Sequence, residues 1–421
     1  MKSLILYGLA TGFNRGGMFL ILPLLSSVLS ISDYGEFSLY LIIVQLMVPF
    51  ISLNIVSIIG REVYENFKIT LCFTIYFNRV ASVFILLIAL LYIVIEKTWC
   101  QITVYALMEA IFLTNSTLIR YKSSAYNYFY LCISKMLVLV TILGLLFLFS
   151  RQKLSNIDHL IIIFSLSNLV ILYQFLKLSF NVKIRSIRLY NIIRKQSAII
   201  VFALSILPHT LAQWVTSGAD RFFVKKYTSD IELGYYSYGY SIAAIYMLVN
   251  SALALGIPQF CVKNFEYFKN KIFFSKYLVS VTFLWLLFVI AINCALFFIP
   301  TKYNVNKLYW VVYFVMVGLY YLSFYYYYSS FLFYSRKSKT LSSITIAVAI
   351  VNIVLIIIFT PSMGIVGTAL STTLSYGFYM ILTYYYAVKT YKVGSFLLPI
   401  FISIVLTVLL LGLHYCIGFV N

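Results

Sequence analysis

Apolar residues come in long runs along this chain. They fall at 4–29, 37–59, 79–95, 102–119, 129–149 and 158–177, and again at 197–219, 236–257, 277–299, 308–334, 341–359, 364–387 and 396–418. A helix of ~20 apolar residues matches the ~30 Å hydrocarbon core of a bilayer. Polar residues are confined to short breaks between the runs, which leaves no room for a separate soluble domain. The pattern predicts an all-α polytopic membrane protein of about thirteen spans. It divides into a six-span lobe (1–179), a basic connector (180–196), a second six-span lobe (197–387) and an additional C-terminal helix (388–421).

The most polar break is Lys177–Gln196. It carries Lys177, Lys183, Arg185, Arg188, Arg194 and Lys195, and no acid occurs between Asp158 and Asp220. Lys and Arg near span ends resist translocation and so mark cytoplasmic loops. With the N-terminus inside, 21 cations fall in cytoplasmic loops and 8 in the opposite ones; the reverse orientation inverts that ratio. The expected topology is multi-pass, with the N-terminus cytoplasmic. Arg15 interrupts the first run, which is too long for the apolar region of a typical signal peptide, so a retained first span is expected. Ile184, Ile187, Tyr190 and Ile193 recur at three-residue spacing, predicting a connector helix lying on the inner leaflet.

Composition changes this picture little. The chain is 63% hydrophobic and 10% charged, with a net charge of +20. In a soluble protein that charge would suggest nucleic acid; here it sits mostly in short loops, as the positive-inside rule requires, and no nucleic-acid partner is expected. The cysteines are scattered without a paired spacing and only three histidines occur, so neither disulfides nor a metal site is expected. No Gly-rich phosphate loop, paired carboxylates or Ser-His-Asp arrangement stands out, so no catalytic residue and no cofactor is expected.

An internal repeat supports two lobes. Asp33-Tyr34-Gly35-Glu36-Phe37-Ser38 follows the first span, and Glu232-Leu233-Gly234-Tyr235-Tyr236-Ser237 follows the seventh. We read each as a tight turn back into the membrane, with Gly supplying unusual backbone angles and the aromatics at the interface. Parallel repeats about an axis along the membrane normal are a transporter architecture. The expected fold is therefore two six-helix lobes related by a pseudo-twofold along that normal, with the pathway between them.

Polar residues inside spans carry the candidate chemistry, because each costs free energy to bury. Arg15 lies mid-span beside Asn14 and three glycines. A charge at a helix centre costs roughly 2.5–3.5 kcal/mol on the insertion scale. Arg15 then either faces water or an anion, or is satisfied by backbone carbonyls or by Glu109. Lys135, in the fifth span, either binds substrate or snorkels to the cytoplasmic interface. Glu109 is a counter-ion or proton carrier. Asp220 and Arg221 read as a local pair at the water boundary. His209 follows Pro208 in the seventh span and could couple to protons or simply pack. The tyrosines, dense from Tyr320 to Tyr328, either line a sugar-binding cavity or anchor at the interface.

Asp33-Tyr34-Gly35 with Phe37-Ser38 resembles the turn after the first span of bacterial polysaccharide exporters. Ala219-Asp220-Arg221-Phe222-Phe223, followed by Leu233-Gly234-Tyr235-Tyr236-Ser237, is similar to their seventh and eighth spans. Gly364-Ile365-Val366-Gly367-Thr368-Ala369 is similar to the small-residue start of their twelfth. The chain thus resembles the multidrug/oligosaccharidyl-lipid/polysaccharide exporter (MOP) superfamily, and within it the Wzx-type O-antigen flippases. The resemblance implies a flippase moving undecaprenyl-pyrophosphate-linked oligosaccharide between leaflets by alternating access. It also implies coupling to a proton or sodium gradient, contact with membrane lipid, and an O-antigen polymerase and chain-length regulator as partners. On this reading Arg15, Asn14 and Lys135 bind substrate, and Glu109, His209 and Asp220 are ion-coupling candidates. The rival readings are a drug/cation antiporter of the same superfamily and a membrane-embedded O-antigen polymerase. The first calls for a cavity acid where the first span offers Arg15. The second calls for a large outer loop, and every outer loop here is short.

Overall fold

The computed structural model describes residues 10, 21, 25–91, 97–122, 125–149, 156–171, 189–298, 303–391, 394–395 and 397–405. Asn14 and Arg15, most of the first span, the connector before Leu189 and the chain beyond residue 405 lie outside the described residues. The first helices are α1 (Ile31–Ile51), α2 (Ile59–Leu91), α3 (Lys97–Lys122), α4 (Ala125–Phe149) and α5 (Ile157–Ser167). Then come α6 (Leu189–Gly218), α7 (Asp220–Tyr227), α8 (Asp230–Ala243), α9 (Met247–Lys263) and the single turn α10 (Phe265–Phe268). The last are α11 (Lys271–Phe298), α12 (Val305–Tyr334) and α13 (Ser338–Val388). Short 3-10 turns extend α5 and join α8 to α9. No strand occurs among the described residues.

Nine helices among the described residues are long and apolar enough to cross a membrane. The longest, α13, is two of the expected spans meeting at Gly364, whose φ of 60° and ψ of −140° break the helix. The protein is thus an all-α, multi-pass membrane protein, as the apolar runs predict. Few L-residues tolerate the Gly364 backbone, although a methyl group there would meet open space. Gly364→Ala is therefore expected to lower stability by about 1–3 kcal/mol through backbone strain alone, measured as thermal unfolding in detergent.

Helices α1 to α5 pack together as one group, and α6 to α13 as another, with α12 against α13 the most extensive contact. The groups meet where α1 packs on α8, its most extensive contact, and where α1 and α2 pack on α6. In the second group, Tyr320, Tyr325, Tyr327 and Tyr328 of α12 are buried. Tyr325 stacks on Tyr379 at 3.9 Å, and the indole of buried Trp285 donates to the Met316 carbonyl at 2.8 Å. These rings fill a helix–helix core and do not sit at the interface, because a ring with one hydrogen-bonding tip fits a packed interior as readily as a wet boundary.

Two span boundaries differ from expectation. The third span was expected from Arg79, but α2 is helical from Ile59. The Asn78 and Asn115 amides pair at 3.1 Å, and Asn115 lies about 27 Å along α3 from Lys97, by helix rise. Arg79 is exposed and lies in the middle of the apolar stretch Ile69–Ile88 of α2, not at its start. Likewise α6 begins at Leu189, so the end of the expected connector already belongs to the helix of the seventh span.

Candidate functional site

Equal distances from a helix hairpin put two charges at one depth. Glu109 on α3 and Lys135 on α4 lie about symmetrically around the turn near Lys122, each ten or more residues from it. The Lys135 ammonium donates to Glu109 Oε1 at 3.2 Å and Oε2 at 3.0 Å. Its side chain is 11% exposed and that of Glu109 15%. Lys135 also sits 4.0 Å from the centre of the Phe112 ring. A third helical segment completes the cluster: Asn168 Nδ2, in the 3-10 turn after α5, donates to Glu109 Oε2 at 2.9 Å. Lys135 thus turns inward and does not snorkel. It is about 15 Å along α4 from Ala125, too deep to reach the interface. Glu109 serves as its counter-ion, and the pair carries no net charge.

The second polar centre lies where the two helix groups meet. Ser30 caps α1, accepting from the Asp33 N–H at 3.0 Å, and Ser229 caps α8, accepting from the Glu232 N–H at 3.2 Å. The same device, a serine cap with an acid in the first turn, starts both repeat helices. The repeat glycines do not make turns. Both lie inside helices, and among the described glycines only Gly364 has a positive φ. Gly35 and Gly234 instead face each other: a Cβ on Gly35 would lie 2.7 Å from the Gly234 nitrogen, and one on Gly234 would lie 2.0 Å from the Ile31 carbonyl oxygen. The two copies of the motif are the two sides of one backbone-to-backbone crossing.

Arg221 and Asp220 form the expected pair, Nη1 to Oδ1 at 3.3 Å, but away from water: they are 1% and 2% exposed. The Tyr236 hydroxyl donates to Asp220 Oδ2 at 2.5 Å. Arg221 lies 4.4 Å from the centre of the Tyr240 ring, and its Nε donates across the seam to Ser38 Oγ on α1 at 3.0 Å. The Tyr34 hydroxyl donates to Ser241 Oγ at 3.0 Å, again joining α1 to α8. Further along α1, the Trp214 indole donates to the Ile42 carbonyl at 3.0 Å. Beyond its end, Asn54 donates to the Ala203 carbonyl at 3.0 Å and accepts from the Thr210 hydroxyl at 3.2 Å. His209 is half-buried beside this contact, its Nδ1 buried without a partner among the described residues.

Of the predicted site residues, the structure brings Lys135 and Glu109 together and leaves His209 and Asp220 apart from them, on α6 and α7. Asn14 and Arg15 fall outside the described residues. The residues that sequence reasoning passed over are neutral partners: Asn168, Tyr236, Ser38 as an acceptor, and Asn54. Asn54 and Asn168 were signalled as amides interrupting apolar sequence, since a polar side chain at membrane depth needs a partner, and Ser38 and Tyr236 stood in the two copies of the repeat.

This arrangement of helices defines a fold class, that of the MATE and MurJ transporters of the MOP superfamily. Over 98% of this chain and 99% of that one, the structure resembles the lipid II flippase MurJ in its inward closed conformation, with a TM-score of 0.64 and 14% identity. It resembles an inward-facing multidrug resistance MATE family transporter over 92% and 94% of the two chains, with a TM-score of 0.63 and 12% identity. By sequence it is 24% identical over 378 residues to Lsg locus protein 1 of Haemophilus influenzae, covering 83% of this chain and 90% of that protein. No protein-family model matches the chain.

Proposed function

We propose that the protein is a Wzx-type flippase that moves undecaprenyl-pyrophosphate-linked O-antigen or related surface-polysaccharide repeat units across the bacterial inner membrane. The observation that carries this reading is the fold shared with a lipid II flippase along almost the whole chain. The physical task fits such a fold. The lipid tail stays in the bilayer while sugars and pyrophosphate cross about 30 Å of hydrocarbon between two lobes. Arg15, beside Asn14 in the first span, supplies the cation that offsets the pyrophosphate, and an ion gradient drives the cycle. The basic connector 180–196 is cytoplasmic and ties the lobes together, and the polymerase and chain-length regulator take over the product outside.

Two acids inside the helix packing, Glu109 and Asp220, weigh against a drug/cation antiporter, which calls for an acid in its binding cavity. Glu109 is committed to Lys135 and Asp220 to Arg221.

Deletion and complementation in the native host test the reading. Loss of the protein is expected to accumulate lipid-linked single repeat units on the inner leaflet; unpolymerised units appearing on the surface would instead mark a polymerase. Arg15→Ala is expected to abolish surface polysaccharide with the protein still in the membrane. Wild-type polysaccharide from an Arg15→Glu variant would end the assignment.

A further inference from the structure

At one end of the second helix group, three separate breaks in the chain form a single basic cap. The α9–α11 break carries Lys263, Lys269 and Lys271, and the α12–α13 break carries Arg336, Lys337 and Lys339. The end of α13 closes beside them, and Glu266 is the only acid in these segments. Aromatic rings knot the three together. Phe265 of α10 stacks on Tyr334 at 3.9 Å and meets the Tyr391 ring edge-on at 4.9 Å. Ser335 Oγ donates to the Tyr391 hydroxyl at 3.2 Å, and Lys337 Nζ to Thr390 Oγ1 at 2.8 Å. The Tyr327 hydroxyl donates to the Phe268 carbonyl at 3.4 Å, tying α10 to α12.

The loop charges put this end on the cytoplasmic face, where cations are expected. A fixed platform of them is not expected, and neither is the backbone at Arg336. Helix α12 closes there with a φ of 56°, the Lys337 N–H reaching back to the Leu332 carbonyl at 2.9 Å. Glycine usually fills that position, because a side chain strains the left-handed backbone. The Arg336 side chain is exposed and makes no ion pair or hydrogen bond among the described residues. Strain held around a free guanidinium marks a position set for function.

Rings on the same helix ends give the depth of the cap. Tyr267, Phe333 and Tyr385 are exposed, and exposed aromatics beside Lys and Arg mark the boundary between hydrocarbon and headgroups. We propose that the cap binds the phosphate headgroups of anionic phospholipids in the cytoplasmic leaflet, with Arg336 as its fixed contact and Lys263, Lys271 and Lys339 around it. A guanidinium presents a planar fork that matches phosphate oxygens, and each further cation near an anionic surface adds to the attraction. In the first helix group the cations on this face are engaged with rings instead. Arg120 lies 5.9 Å from the centre of the Tyr128 ring, and Lys122 4.4 Å from that of Phe67.

Lipid titration of the full-length protein in neutral detergent tests the site. Phosphatidylglycerol added in mixed micelles should raise the thermal midpoint saturably, as a ligand of the folded state does. Phosphatidylcholine should not, and the rise should shrink at high salt. Arg336→Gly should be no less stable than wild type in detergent alone, because it relieves the backbone. It should nevertheless need about fivefold more phosphatidylglycerol, the equivalent of one cation at an anionic surface. Adding Lys263→Gln to it should multiply the loss again, while Arg336→Lys should stay nearer to wild type. The control pair Arg120→Gln with Lys122→Gln removes the same charge from the same face and should leave the response to phosphatidylglycerol unchanged.

An Arg336→Gly variant with wild-type lipid affinity overturns the site, as does an equal response to phosphatidylglycerol and phosphatidylcholine. If the Arg120 and Lys122 control loses as much affinity as Arg336→Gly with Lys263→Gln, the effect is bulk charge and the cap is no site. Inorganic phosphate that reproduces the rise at matched concentration would make it a site for the free anion and not for lipid. A polyglutamate peptide that does so, with the same dependence on Arg336, would make it a face for an acidic protein; either result overturns the lipid assignment. Transport enters none of these readouts, so a loss of the flippase assignment would leave the lipid site standing.

Discussion

Lys135→Met is expected to destabilise the protein by about 3–5 kcal/mol, the usual result of removing one partner from a buried ion pair. The mutation leaves the Glu109 carboxylate at mid-membrane depth with Asn168 as its remaining donor. One neutral amide cannot offset the desolvation of a carboxylate in that setting. The double change Lys135→Met with Glu109→Gln should recover most of the loss. It removes both charges together, keeps an acceptor for Asn168, and a neutral, well-packed replacement of a buried pair is often no less stable than the pair. Thermal unfolding in detergent and abundance in the membrane fraction measure both. If the double variant were as unstable as the single one, Lys135 would be acting through something other than Glu109, and the mid-lobe pair would lose its standing as a unit.

That pair shows how much of the site could be read from the chain. Glu109 and Lys135 each stand out as charges inside apolar runs, and their near-symmetry about the turn at Lys122 was enough to place them at one depth. What spacing could not show is the rotation of each helix about its axis, which decides whether Lys135 turns to Glu109 or to the interface, and which third helix brings Asn168. The repeat was legible in the same partial way. Its register and its position at the start of two helices were plain. Its serine caps, Ser30 three residues before Asp33 and Ser229 three before Glu232, were equally present in the sequence and announced helices, not turns, at both glycines. A glycine needed for a turn and one needed for close helix contact look alike until the facing helix is known. Arg221 reads as a surface cation because it ends a span beside an acid. It is buried because the short helix α7 carries it back beneath α8, where the Tyr240 ring and Ser38 wait for it.

Two glycine-to-alanine changes should then part company sharply. Gly144→Ala on α4 adds a methyl group that meets nothing within 4 Å. In a helix interior alanine is preferred over glycine by about 1 kcal/mol, so this variant should be unchanged or slightly stabilised. Gly234→Ala adds the same methyl group 2.0 Å from the Ile31 carbonyl oxygen and 2.7 Å from its carbonyl carbon. Those are backbone atoms in the first turn of α1 and cannot rotate aside as a side-chain tip would. The helices must separate, and overpacking of this kind costs about 1–3 kcal/mol, sometimes more. Separation at that point also lengthens the bonds from Tyr34 to Ser241 and from Arg221 to Ser38. The expected result is a lower melting temperature for Gly234→Ala and none for Gly144→Ala. Equal behaviour of the two would mean that the α1–α8 crossing is not as close as the structure has it, and that the repeat glycines were chosen for something other than contact.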